Sequence, residues 1–164
     1  MSLLPRKLRG ASTSAAIALS LVSLASPLAA QKSNLTVSGG TITFPAPTAA
    51  DYVAGFVNSA TGVTFNVDAQ TGASRTTTIL IRSTSAGLGN GKVIGDLQWR
   101  RSDLATWNDV TLTDAQVEQR VVIRNGLNDP WGNTIFFRMK VGWATDPPGT
   151  YSATYELTLS QTVP

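Results

Sequence analysis

The sequence predicts an all-β protein, an antiparallel, immunoglobulin-like β-sandwich of about eight short strands. Three observations carry that expectation. Apolar residues recur with a period of two in almost every segment after Gln31, as they do in strands with one buried face. Clusters of Gly, Pro, Asn and Asp interrupt these segments at short intervals, as turns between antiparallel strands do. Charged residues make up only 14% of the chain, against about 25% in ordinary globular proteins. Solubility then falls to Ser, Thr, Asn and Gly, a habit of β-rich extracellular domains.

The elements follow in order. Leu35-Thr36-Val37, a Gly39-Gly40 turn and Ile42-Thr43-Phe44 read as a short hairpin or a kinked first strand. Pro45 and Pro47 end it, because proline cannot donate to a central ladder. Val63, Phe65 and Val67 alternate with Thr64 and Asn66 up to the Thr71-Gly72 turn, and Thr76 to Arg82 is a β-branched run with Ile79 and Ile81 facing a core. Gly87 to Gly91 reads as a surface loop. Strands are expected at Ile94 to Arg100, Trp107 to Leu112 and Glu118 to Arg124, with one helical turn near Thr113 to Gln116. Ile135, Phe137, Met139, Val141 and Trp143 share one face of the next strand, with Arg138 and Lys140 on the other. After the Asp146-Pro147-Pro148-Gly149 turn, Tyr151, Ala153, Tyr155, Leu157 and Leu159 repeat the alternation. A closed barrel has the same pattern, so alternation alone leaves both architectures open.

The N-terminus differs in kind. Arg6, Lys7 and Arg9 precede an apolar, small-residue run from Ala15 to Ala25, then Pro27 and Leu28-Ala29-Ala30. This is the order of a Sec-type secretory signal, cut between Ala30 and Gln31. Residues 1–30 are therefore expected to be a helical, removable signal peptide and residues 31–164 a single β domain. The apolar run falls short of the ~20 residues that span a bilayer. The expected location is secreted, cell-surface or periplasmic, with no integral membrane span in the mature protein. The formal charge of +3 also resides in the signal. After Gln31 ten basic residues meet ten acidic ones, so no basic stripe remains to neutralise phosphates, and nucleic acid is not an expected partner.

The chain holds no cysteine and no histidine. It thus lacks thiolate nucleophiles, disulfides and the commonest general base and zinc ligand. The glycines of Gly87 to Gly91 lead through Lys92 into a strand, whereas phosphate loops lead into a helix. Asn125 to Asn133 offers one carboxylate, too few for calcium. The pairs Asp103/Asp109 and Asp114/Glu118 are close only in sequence. The reading is therefore no catalytic residue, no metal, no cofactor and no enzyme. Trp99, Arg101, Trp107 and Trp131 are the candidate ligand surface, since aromatic rings beside a guanidinium can stack on a sugar or another planar group. The competing reading places these rings in the core.

The closing unit, Asp146-Pro147-Pro148-Gly149-Thr150-Tyr151 with its alternating continuation, resembles the final strand of bacterial secreted pilin-like proteins, the spore-coat-U-like proteins among them. The early Leu35-Thr36-Val37 and Gly40 to Phe44 pattern is similar in kind. The cysteine pair common in that family is missing here. The resemblance implies an immunoglobulin-like sandwich at a bacterial cell surface, acting as a structural or adhesion protein and as a pilin-like assembling subunit. Expected partners are other surface proteins, further copies of the chain, or glycans; the alternative function is a secreted carbohydrate-binding module. N-terminal sequencing of the exported protein should find Gln31, within a residue or two, and Ala30→Phe should leave the precursor uncut. An exported protein that keeps Met1 would contradict the assignment.

Overall fold

The computed structural model describes residues 32–70, 74–122 and 130–162. The expected signal peptide with its Ala30–Gln31 cleavage point, and most of the Asn125 to Asn133 loop, lie outside the described residues. The fold is all-β, with antiparallel sheets around one core. The first sheet contains β1 (Lys32–Val37), β3 (Phe56–Asn58), β4 (Val63–Gln70), β8 (Leu97–Arg101), β9 (Asn108–Asp109) and β11 (Trp131–Lys140). Its order is β1-β4-β11-β8-β9, with β3 beside the far end of β11. The second sheet contains β2 (Thr41–Phe44), β5 (Arg75–Ser83), β10 (Ala115–Val122) and β12 (Tyr151–Thr162), in the order β10-β5-β12-β2. A small hairpin, β6 (Gly87–Gly89) with β7 (Lys92–Val93), stands apart.

The period of two decides what fills the core. β5 buries Thr77, Ile79, Ile81 and Ser83, β11 buries Ile135, Phe137 and Met139, and β12 buries Tyr151, Ala153 and Tyr155. With Phe44, Phe65, Leu97 and Trp99 these side chains form one cluster fed from both sheets. Complete burial of one such aromatic or aliphatic side chain stabilises the fold by about 1.5–3 kcal/mol.

The first strand is kinked more sharply than a hairpin. β1 pairs with β4 and β2 with β12, so the chain changes sheets at Ser38-Gly39-Gly40. Gly39 there has φ 102°, a conformation that favours glycine. β3 and β4 flank β11 along the same side with a two-residue shift in register, Asn58 facing Arg138 and Val63 facing Ile135. The residues between them bulge out of the ladder.

Several expectations change. Twelve strands are found among the described residues, against about eight, because long runs break into short pieces. The run from Ile94 starts as a 3-10 turn, Ile94–Asp96, before β8 begins. The strand expected from Trp107 to Leu112 shrinks to Asn108–Asp109, and no helical turn forms at Thr113 to Gln116, where β10 starts at Ala115. Gly87 to Gly91 is no plain loop: Asn90 (φ 51°) and Gly91 (φ 78°) make the tight turn of the β6–β7 hairpin. A short helix, α1 (Ala49–Ala54), is present where none was expected. Thr48 and Asp51 cap it reciprocally and Gly55, left-handed, ends it. Trp143 leaves the face on which the alternation placed it. β11 ends at Lys140, and Trp143 sits in the following turn, 65% exposed.

The two flanks of the paired sheets close differently. Where β8 faces β10, Glu118 is 5% exposed and accepts from Arg120 Nε (2.7 Å) and Asn133 Nδ2 (3.3 Å). Arg101 lies 3.7 Å from the same carboxylate, pairs with Asp103 and donates to Val117 O. Each sheet thus supplies charge to a shared cluster centred on the buried Glu118 carboxylate, with Arg120 and Asp103 about half exposed at its margin. Removing one partner of such a cluster strands the other. Glu118→Ala should therefore lower unfolding free energy by about 3 kcal/mol, read from urea denaturation; a loss below about 1 kcal/mol, the range of surface ion pairs, would show the cluster to be solvated.

Candidate functional site

Strand β8 turns Leu97 and Trp99 inward and Arg100 outward. Trp99 is buried in the core, and its Nε1 finds no acceptor. Arg101 is engaged by Asp103 and Glu118. Trp131 opens β11 and is buried too, edge-on to Phe65 at 5.9 Å, with the Arg120 guanidinium 4.7 Å over its ring. Neither Trp99 nor Trp131 has a free face, and the four candidate residues do not converge on one surface.

Trp107 alone reaches the outer face of the first sheet. There the Arg138 guanidinium lies 4.3 Å from its ring centre and 4.9 Å from that of Phe56. Arg100 lies 5.1 Å from Trp107 and 5.3 Å from Phe136. The result is a ladder, Phe56–Arg138–Trp107–Arg100–Phe136, beside a cleft of ≈ 190 Å³ that Asn58 and Ser59 help to line. Cation–π contacts at exposed sites contribute about 0.5–1 kcal/mol each. The ladder clothes the outer face and leaves Trp107 stacked by protein.

A different feature is an open strand edge. Tyr155 N–H donates to Gly40 O at 3.1 Å, on the side of β12 that β2 occupies. Ladder alternation aims the N–H and C=O of Leu157, Leu159 and Gln161 the same way. β2 pairs only with Tyr151 to Thr154, so no strand among the described residues meets those groups. β1 mirrors this: Ser38 N–H reaches Thr64 O, which turns Leu35 N–H and C=O away from β4 toward the same flank. Leu35, Val37, Leu157 and Leu159 line this flank, each only partly buried. It is an apolar seam bounded by two backbone edges that meet no further strand among the described residues.

No three His, Cys, Asp or Glu side chains among the described residues converge where a metal could sit. No helix among them is long and apolar enough to cross a membrane. The chain matches no protein-family model, no curated protein and no solved structure.

Electrostatics hold the loops around these features. The Arg101 guanidinium brings Asp103 down to about 2. Lys140, then Gln98, lowers Asp109. Burial acts to raise Asp146, but hydrogen bonds from Lys92, Gly142 N–H and Thr145 outweigh it and leave it lowered. Carboxylates depressed in the folded state stabilise it fully above their unfolded value, about 3.9. That stabilisation is lost as pH falls through their folded values, down to about 2 for Asp103. The chain has no histidine, so urea midpoints should stay flat from pH 5 to 8 and fall between about 4 and 2. Asp103→Asn should flatten that fall; an unchanged acid limb in that variant would remove Asp103 as a cause.

Proposed function

We propose that the protein is an exported, non-enzymatic structural or adhesion subunit of a bacterial cell surface. Its copies associate through the open edge of β12, as subunits of the pilin-like proteins it resembles do through strand addition. One observation supports this reading above the others: the place of a final strand is only partly filled. The strand order supports the reading: lettered as an immunoglobulin sandwich, β1, β4, β11 and β8 would be A, B, E and D, and β5 and β12 would be C and F, with β10 added beyond β5. Strand G belongs beside F. Here β2 holds that place over Thr41–Phe44, and past Tyr155 this edge of β12 meets no strand among the described residues. Exposed edges of this kind template pairing with another chain, and main-chain bonds then supply affinity while alternate side chains supply fit. The apolar seam under the edge supports the same reading, because an added strand would cover Leu157 and Leu159.

Sedimentation velocity over a range of concentrations tests it. The protein should self-associate, and the amides of Leu157, Leu159 and Gln161 should gain hydrogen-exchange protection as it does. Gln161→Pro removes an edge N–H at a position where proline is tolerated, and should weaken association at least tenfold, whereas Gln161→Ala, which loses only the side-chain bond to Thr77 Oγ1, should leave association unchanged. A strictly monomeric protein whose β12 edge amides exchange freely at every concentration would overturn the proposal.

A further inference from the structure

The fourth tryptophan occupies a place unlike the other three. Trp143 stacks on Tyr52 with ring centres 4.4 Å apart and planes 23° from parallel. Tyr52 is itself buried on α1. With Trp143 65% exposed, one ring face is seated on protein and the opposite face is bare. Aromatic surface of this size in water is costly, and the loop could have turned it inward only by giving up the bonds that hold it.

Those bonds are numerous. Asp146 Oδ2 accepts from Gly142 N–H (2.8 Å), Thr145 Oγ1 (3.0 Å) and Lys92 Nζ (2.8 Å). Asp146 O accepts from Tyr52 Oη at 2.8 Å, and Pro147 O accepts from Tyr151 Oη. Val141 N–H reaches Gly55 O, the end of α1. Lys92 arrives on the β6–β7 hairpin with its side chain 7% exposed, and Asp96 lies 3.3 Å from its ammonium. Helix α1, the β6–β7 hairpin and β12 therefore all tie the ten-residue turn. Preorganisation of this kind lowers the entropic cost of binding.

The chemistry around the ring selects the ligand. A cavity of ≈ 340 Å³ adjoins it, lined by Tyr52, Trp143, Thr145, Asp146, Pro147 and Pro148, within the size range of small-molecule sites. Its rim carries acceptors, while the Thr145 hydroxyl donates to Asp146 Oδ2 and the Trp143 indole N–H is a single donor at the ring's edge. Pro147 and Pro148 have no N–H, and the Asp146 carboxylate, its side chain 7% exposed, only accepts. An anion needs donors and finds few. A cation meets the Lys92 ammonium behind the carboxylate. A neutral ring with one C–H-rich face and hydroxyl donors at its edge meets both the apolar floor and the acceptor rim.

The geometry points to Trp143 as the platform of a glycan site that takes one neutral pyranose ring of a polysaccharide, separate from the β12 edge. Trp107 and Trp131, which the sequence offered for this role, are already stacked by arginine.

Titration with soluble neutral glucans and chito-oligosaccharides, beside polygalacturonate as an anionic arm, tests the site by tryptophan fluorescence and affinity electrophoresis. A neutral glycan should bind, Trp143→Ala should weaken it at least tenfold, and Trp143→Tyr should recover part of the loss. In the unaltered protein the bound glycan should protect Trp143, and no other tryptophan, from oxidation by N-bromosuccinimide mapped by mass spectrometry. That readout holds even if the alanine variant fails to fold. Absence of neutral-glycan binding, binding confined to polygalacturonate, or equal binding by Trp143→Ala would overturn the site. Because self-association is read at the β12 edge, either proposal can fail without the other.

Discussion

The change of sheet at Ser38-Gly39-Gly40 is the constraint on which the rest of the molecule depends. Three residues carry the chain across the core, and each is tied. Ser38 N–H bonds Thr64 O at 3.0 Å, Tyr155 Oη bonds Gly39 O at 2.8 Å and Tyr155 N–H bonds Gly40 O at 3.1 Å. Gly39 takes the positive φ the corner requires. Once the crossing is placed there, β1 belongs to one sheet and β2 to the other. Neither strand can then run the length of β12, and the C-terminal half of that strand, paired with β5 on one side, meets no strand on the other among the described residues.

The two flanks show what this does energetically. On the β8/β10 flank, the buried Glu118 carboxylate meets two guanidiniums, Arg101 from one sheet and the half-exposed Arg120 from the other. Charge placed there specifies register more than it stabilises, since desolvation offsets much of the attraction. On the β1/β12 flank the apolar side chains Leu35, Val37, Leu157 and Leu159 pack partly buried against the core. Apolar contacts are non-directional and accept any strand of suitable alternation. One flank is thus built to stay shut, and the other has the properties that the proposed assembly needs.

The legible part of the fold was the part governed by local period. β4, β5, β11 and β12 could be read from alternation because half of each is buried, and burial is what alternation records. The short pieces were hidden because their causes lie elsewhere. Asn108–Asp109 pairs with β8 through a turn at Ser102-Asp103, not through any β propensity of its own. α1 announced itself only by Thr48 and Asp51 three apart, a signal easily lost between prolines. The Asn90-Gly91 turn was readable in principle, since Asn-Gly is the strongest short hairpin signal. The glycines on either side masked it as a flexible loop.

The tryptophans show why a site is harder to read than a strand. Alternation placed Trp143 with Ile135, Phe137, Met139 and Val141, and the first four obey it. The pattern stops where a hydrogen bond stronger than local preference intervenes. Asp146 Oδ2 captures the Gly142 N–H four residues upstream, a bond to a charged acceptor, and the backbone bends before Trp143 can turn inward. That capture is in turn held by Lys92, more than fifty residues earlier in the chain. Exposure of the one ring with a bare face is therefore a tertiary fact. No window of sequence around Trp143 contains the residue that causes it.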